Sequence, residues 1–393
     1  MLNETRRALA SYPVGYHELH PDRNMNFQMN RCLIFAQDPS MEIEMREVAP
    51  RISTHADWIR EFRGLAERAH SQGREVKAIW YWRSAEFFMN GADPERKELR
   101  ERFVRNVREA NGVQSRDVIR VPYRPAGPDA WLPSLRFGEG GRRGTMLLFG
   151  GFDSYFEELI PLAKLFSQEG YDVILFEGPG QGDVLERGIP MTARWELPVS
   201  AVLDHYGVQR AVAIGMSLGG YLVLRAAALE PRITRAIAWD VIYDFSEVLM
   251  SSLAPLARGF LRTALALRAA PLANAAIRLR MRDPVVEWGV HQGMRVFGEK
   301  NPYGLFRRAR EMSTRSISRR IEGDVLLLAG TEDHFVPLRM LHRQLEAITG
   351  ARSLTARIFT HAESAHAHCQ LGNLALAVRV ILEWLESIEA RDA

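Results

Sequence analysis

Ala211-Val212-Ala213-Ile214-Gly215-Met216-Ser217-Leu218-Gly219-Gly220-Tyr221 is the stretch on which the fold turns. Four apolar residues lead into a serine held between small ones, and residues 221–229 then read as a helix. A Gly-x-Ser-x-Gly between a strand and a helix is a nucleophile elbow. The turn leaves no room for side chains two residues before or after the serine. It lifts the hydroxyl above the sheet edge and aims the next N–H at whatever the hydroxyl attacks. By composition alone such a motif arises in roughly one chain of this size in ten. Its context therefore carries the reading. The plain alternative is a Gly-rich turn with a solvated serine. Gly220, which extends the small-residue side, and the flanking elements argue against it.

The chain has 393 residues, enough for one large α/β domain with an appended piece or for two to three small domains. With 47% hydrophobic residues, it can bury a sizeable core. Basic and acidic residues nearly balance, 51 against 48, for a net charge of +3. That balance predicts no general affinity for nucleic acid or an anionic membrane. Cys32 and Cys369 lie far apart, as suits a reducing compartment rather than a disulfide framework. Residues 1–15 carry no apolar signal core. The most membrane-like stretch, residues 261–279, is broken by Arg262, Arg268 and Arg278. A cytoplasmic protein is expected.

Residues 1–115 read as a helical N-terminal domain. Thr54 opens a helix that sets Trp58, Ile59, Phe62, Leu65 and Ala69 on one face, and Asp93-Pro94 caps another that stops at Gly112. Between them, Trp80, Tyr81, Trp82, Phe87 and Phe88 read as helix-packing core. From residue 116 the pattern changes. Short apolar runs at 118–123, 131–137, 145–149, 172–176, 211–214, 236–239, 325–329 and 355–359 read as eight strands. The later ones alternate with helical segments at 157–168, 221–229, 339–348 and 372–388. This alternation predicts an α/β fold: a mostly parallel sheet covered by helices on both faces, spanning 116–393. Residues 245–318 interrupt it with helical pieces only, and read as a helical lid insertion. Ligands in such sheets sit beyond the carboxyl ends of the strands, where Ser217 falls.

A serine hydroxyl needs a base within hydrogen-bond reach, and the base needs an orienting acid. In chain order these follow the serine as acid, then histidine. Gly330-Thr331-Glu332-Asp333 follows a late strand. Asp333 is the favoured acid, with Glu332 as its rival and a turn or cap role as the plain alternative. The loop after the last strand holds His361, His366 and His368; His368 is nearest the closing helix, and His366 is the runner-up. Three histidines with Cys369 also suggest zinc, but no second ligand pair at metal spacing supports it. Phe149-Gly150-Gly151-Phe152-Asp153 follows a strand and supplies an oxyanion hole, assigned to the N–H groups of Phe152 and Met216. Ser154 to Glu157 fits a capping box for the next helix, so neither Asp153 nor Glu157 is read as catalytic. Gly178-Pro179-Gly180-Gln181-Gly182 lacks the features of a phosphate loop and reads as a structural turn.

Together, Gly150-Gly151-Phe152-Asp153-Ser154, Glu157-Glu158, Phe176 to Gly182, Gly215 to Tyr221 and His368-Cys369-Gln370 resemble the FrsA-like branch of the α/β-hydrolases. The resemblance covers about residues 145–388, and more weakly the helical N-terminal part. It implies a helical domain covering the active site. It also implies Ser217, Asp333 and His368 as the triad, which decides for His368 over His366. Members of the branch cleave carbon–carbon bonds next to a ketone, or make and break esters and lactones. Some use an extra carboxylate after the sixth strand, where Asp240, Asp244 and Glu247 are the candidates here. The reading that follows is a serine-dependent hydrolase of an aromatic or polyketide-like small molecule. Acyl transfer or lactone formation and a non-catalytic ligand sensor are the alternatives. No cofactor and no metal are expected. The expected partner is a small-molecule substrate, with neither nucleic acid nor membrane, and a homodimer is compatible.

Overall fold

The computed structural model describes residue 9 and residues 11–91, 93–251 and 253–393; at 284 and 285 it describes the backbone alone. The reading of residues 1–15 as lacking a signal core therefore lies largely outside the described residues.

Five helices come first: α1 (Arg23–Ala36), α2 (Met41–Val48), α3 (His55–Ser71), α4 (Glu75–Phe87) and α5 (Pro94–Ala110). Their starts follow capping chemistry. The Asp22 side chain accepts the N–H groups of Asn24 and Met25. Thr54 and Asp57 form a capping box. Asp93 caps α5, with Pro94 in its first turn. Each satisfies backbone donors that have no partner within the helix. The aromatic run ends up inside: Trp80, Tyr81, Trp82, Phe87 and Phe88 are all buried.

Eight strands follow: β1 (Ile119–Pro122), β2 (Trp131–Phe137), β3 (Thr145–Phe149), β4 (Asp172–Phe176), β5 (Ala211–Met216), β6 (Ile233–Trp239), β7 (Asp324–Gly330) and β8 (Ser353–Phe359). They form one sheet in the order β1-β2-β4-β3-β5-β6-β7-β8. β2 runs antiparallel to both β1 and β4, and the pairs from β4 through β8 are parallel. β4, β5 and β7 are buried throughout, which is why their sequences, after the first aspartate of β4 and of β7, run apolar without alternation.

The crossovers supply α6 (Ile160–Gln168), α7 (Gly182–Glu186), α8 (Glu196–His205) and α9 (Gly219–Leu229). After β6 come α10 (Phe245–Leu249), α11 (Pro255–Ala266), α12 (Ala270–Arg280), α13 (Pro284–Phe297) and α14 (Pro302–Glu311). α15 (Arg339–Ala347) and α16 (Leu374–Asp392) complete the chain. The segment before α6 begins as a 3-10 turn, Phe156–Leu159, rather than as helix from 157. The expected cap there is also shifted: Glu158, not Glu157, reaches back to the Tyr155 N–H, and the Ser154 hydroxyl accepts from Gly151.

Side chains alternate along each strand, so the sheet divides two cores. On one face Met146, Leu148, Leu175, Ile214 and Trp239 pack with α6, α16 and the N-terminal helices. On the other, Leu147, Phe149, Phe176, Ala238 and Leu327 pack with α8, α9, α15 and the α10–α14 insertion. No helix among the described residues is long and apolar enough to cross a membrane.

Candidate active site

Ser217 stands at the end of β5 with φ +62°, in the left-handed region. That conformation is costly for a residue with a side chain and persists only where the surroundings fix it. The surroundings are tight. A Cβ on Gly215 would lie 2.0 Å from the Gly219 carbonyl oxygen, and one on Gly220 would lie 1.8 Å from that of Asp240. The glycines that marked the motif are therefore required by the fold of the turn itself.

His368 reaches the serine from the loop after β8. Its Nε2 lies 2.8 Å from Ser217 Oγ, and its Nδ1 lies 2.6 Å from Asp333 Oδ2. Asp333 follows β7, and its Oδ1 accepts the N–H groups of Phe335 and Val336, each at 2.8 Å. The structure thus brings together Ser217, His368 and Asp333. The rivals lie elsewhere. Glu332 is exposed and faces His361 at 3.5 Å. His366 is buried edge-on against Tyr16.

A second carboxylate joins the same nitrogen. Asp240, directly after β6, places Oδ2 2.7 Å from His368 Nδ1. The same oxygen accepts the Cys369 N–H at 2.7 Å, and Oδ1 accepts from Gln370 Nε2 at 3.2 Å. Cys369 and Gln370 both have positive φ, so Asp240 also pins a strained backbone next to the imidazole. The other two candidates after β6 do not converge on the site. Asp244 caps α10, and Glu247 pairs with Arg343 at 2.8 Å.

The electrostatics of this cluster follow from burial and charge. Burial pulls the imidazole of His368 down, but Asp333 and Asp240 together hold it well above its ordinary value. Burial raises the Asp333 carboxyl, with the charge of Asp240 adding to the rise against the pull of His368. Asp240 is held low: burial acts against it, and His368 with its hydrogen-bond donors outweighs burial. The three groups titrate as one unit. Next to them His334 is kept neutral, its pKa pushed down to about 3 by burial and by the charges of His368 and Arg23. Its Nε2 is buried with no hydrogen-bond partner among the described residues.

The oxyanion assignment needs one correction. Met216 is still inside β5, in register with Trp239, one residue before the serine. The residue after the serine is Leu218, and its N–H, like that of Phe152, donates to no described backbone carbonyl. Gly151 is packed against it: a Cβ there would lie 2.8 Å from Leu218 N and 3.0 Å from Ser217 Cβ. Phe152 and Leu218 are therefore the pair of free donors beside Ser217, and Met216 is not. Gln181, from the Gly-Pro-Gly turn, donates to the carbonyls of Gly150 and Gly151 at 2.8 and 3.0 Å and so fixes the loop that carries Phe152.

Sequence reasoning missed how the N-terminal helices close the site. Phe27 on α1 lies 5.7 Å from the His368 ring and 5.2 Å from Phe335, centroid to centroid. Arg31 on the same helix pairs with Glu158 at 2.6 Å and with Asp153 at 3.0 Å. Arg83 on α4 joins Glu158 at 2.9 Å and Glu86 at 2.7 Å. The pairs to Glu158 and Asp153 tie the helical layer to the segment after β3. Above Ser217 lies a cavity of about 1030 Å³. Phe27, Phe87, Phe152, Phe245, Trp288 and Phe335 are among its walls. It is large enough for a substrate of several rings or a long acyl chain.

Comparison with known proteins agrees with this architecture. Residues 144–370 match the model of the alpha/beta hydrolase family. The alpha/beta hydrolase ucsC of Acremonium sp is 29% identical over 308 residues, 66% of this chain and 61% of that protein. The chain therefore aligns with less than two thirds of that relative's length. The 20-hydroxy-prefusarin hydrolase FUS2 of Gibberella moniliformis is 26% identical over 94% of this chain and 98% of its own. The crystal structure of a 2,6-dihydroxy-pseudo-oxynicotine hydrolase superposes with a TM-score of 0.60 at 21% identity, covering 90% of this chain and 94% of that one. At that identity the likeness concerns the fold.

Proposed function

This chain belongs to the alpha/beta hydrolase family, and from that premise we propose a serine hydrolase that cleaves a carbonyl-centred bond in a hydrophobic, aromatic or polyketide-like small molecule. The observation that carries the reading is the unbroken relay at 2.8 and 2.6 Å from Ser217 through His368 to Asp333, at the floor of an apolar cavity. Ser217 Oγ attacks the carbonyl carbon while His368 Nε2 takes its proton. Asp333 holds the tautomer and stabilises the imidazolium. The N–H groups of Phe152 and Leu218 receive the oxyanion.

Collapse of the tetrahedral intermediate then expels either an alcohol or a carbanion, and in both cases the leaving group takes the proton held on His368 Nε2, which returns the base to its neutral form. A carbanion leaves only as an enolate or phenolate, and its oxygen needs a partner. The neutral His334, with its unpaired Nε2 at the cavity wall, suits that oxygen. Water activated by His368 releases the acid from Ser217. The relatives named as hydrolases, one of them a 20-hydroxy-prefusarin hydrolase, support a natural-product substrate. The mostly apolar cavity also suits a variant in which a hydroxyl of the substrate replaces water, giving a lactone or a transferred acyl group.

Labelling with a fluorophosphonate probe tests the nucleophile. Modification at Ser217, lost in Ser217→Ala, is expected, and an unlabelled folded protein overturns the reading. Turnover of β-diketones and activated esters in ¹⁸O-water, followed by mass spectrometry, assigns the bond and separates hydrolysis from acyl transfer.

A further inference from the structure

The whole-chain charge of +3 hides a strong local asymmetry. Between Glu247 and Asp283 the sequence has six arginines, at 258, 262, 268, 278, 280 and 282, and no acidic residue. This segment alone is more positive than the entire chain. Arg258 binds the backbone carbonyls of Ser251 and Leu253, and Arg262 pairs with Glu247. Arg268, Arg278, Arg280 and Arg282 have no ion pair among the described residues.

The same segment exposes its apolar side chains. Of the nine large hydrophobic residues exposed among the described residues, five are Leu256, Phe260, Leu267, Leu272 and Leu279. Leu256 is 90% exposed and Leu267 74%. At 100° per residue, positions 256 and 260 fall on one side of α11, with Leu267 directly after its end, and 272 and 279 fall on one side of α12. The opposite sides are the buried ones, with Leu261 and Leu265 on α11 and Ala273 and Ile277 on α12. Both helices therefore carry exposed apolar side chains besides those that pack inward. α11 and α12 pack on each other, and Leu256, Phe260 and Arg280 also line the cavity above Ser217.

We propose that the α11–α12 pair docks the protein on an anionic phospholipid surface, with the cavity mouth turned toward the lipid. Charge decides between occupants. A second copy of this chain, docked about a two-fold axis, would set these unpaired arginines against one another. A shaped acidic protein would need a groove, whereas Leu267, Leu272 and Leu279 stand exposed outside the cavity. Leucine and phenylalanine beside arginine on a short amphipathic element is the chemistry of interfacial binding, with the apolar face entering the headgroup boundary and the cations meeting the phosphates. The attachment is peripheral, since no described helix can span a bilayer. An apolar substrate would then enter from the phase in which it dissolves.

The test is sedimentation of the full chain with phosphatidylcholine vesicles, with and without phosphatidylglycerol. Binding to the anionic vesicles only, weakened by high salt, is expected. The triple variant Arg268→Gln, Arg278→Gln, Arg282→Gln should lower partitioning on the order of 100-fold, and Leu267→Asp with Leu272→Asp should abolish it. None of these five residues lines the cavity, so fluorophosphonate labelling of Ser217 and hydrolysis of a soluble ester should persist in every variant. That readout separates a failed docking surface from a failed active-site reading. No binding to phosphatidylglycerol vesicles overturns the proposal. So does a dimer in light scattering that Leu267→Asp dissociates while vesicle binding is absent, or binding that is indifferent to the arginines.

Discussion

Asp240→Asn asks whether the second carboxylate at His368 acts on the base or only holds the loop. The wild-type imidazole has two acidic partners on one nitrogen, at 2.6 and 2.7 Å, and all three side chains are buried. Each carboxylate favours the protonated ring, so the folded pKa of His368 lies above the ordinary value. The base works only when neutral, and the acid limb of the pH–rate profile therefore sits above the usual imidazole range. Removing one charge about 4 Å from the ring charge, at an effective dielectric constant near 20, forfeits up to about 4 kcal/mol. Measured shifts for such neighbours run about 1–3 pKa units. The acid limb of kcat/KM for a fluorogenic ester should accordingly move down by about 1–3 pH units. Asn still offers one oxygen to the Cys369 N–H, so a thermal melt must accompany the profile to show that the loop has held. If the limb stays in place in a folded variant, Asp240 does not set the basicity of His368 and is a scaffold for Cys369 and Gln370 alone.

Other substitutions test the remaining parts. His368→Asn should abolish turnover, while His366→Asn, which alters a ring packed on Tyr16, should leave most of it; steady-state rates on one ester rank the two. Asp333→Asn should lower kcat by on the order of 10⁴-fold, and Glu332→Gln, on an exposed side chain, should be near wild type by the same assay. Gly151→Ala forces a methyl against Leu218 N and should lower kcat by about 10²–10³-fold with KM little changed. Arg31→Ala leaves Glu158 short of one buried partner and should cost about 3–5 kcal/mol in urea unfolding.

The strands and the elbow were legible because their signals are local. A fully buried parallel strand is apolar along its run, and β4 and β7 are so after a first aspartate that pairs with arginine. A turn with no room beside the serine must carry glycine, and it does at 215, 219 and 220. The order of serine, acid and histidine along the chain narrowed the search further. The residues alone left His366 and His368 in competition, and left three acids after β6 without a preference. That choice depends on where loops separated by more than a hundred residues meet. Asp240 has no local mark that distinguishes it from Asp244, and only the closure of the β8 loop onto β6 sets it against His368. The placement of Met216 failed for a smaller reason: the elbow aims the N–H of the residue after the serine, and Met216 precedes it, inside β5.

The amino-acid sequence by itself determined the layered sheet, the elbow and the kinds of side chain available for chemistry, because periodicity and steric exclusion act over a few neighbouring residues. Tertiary structure alone decided that two carboxylates share one imidazole, that Phe27 of α1 packs beside it, and that an arginine-rich helix pair lines the cavity. Those outcomes are contacts between distant segments, fixed by packing on the two faces of the sheet and by ion pairs whose partners no local pattern reveals.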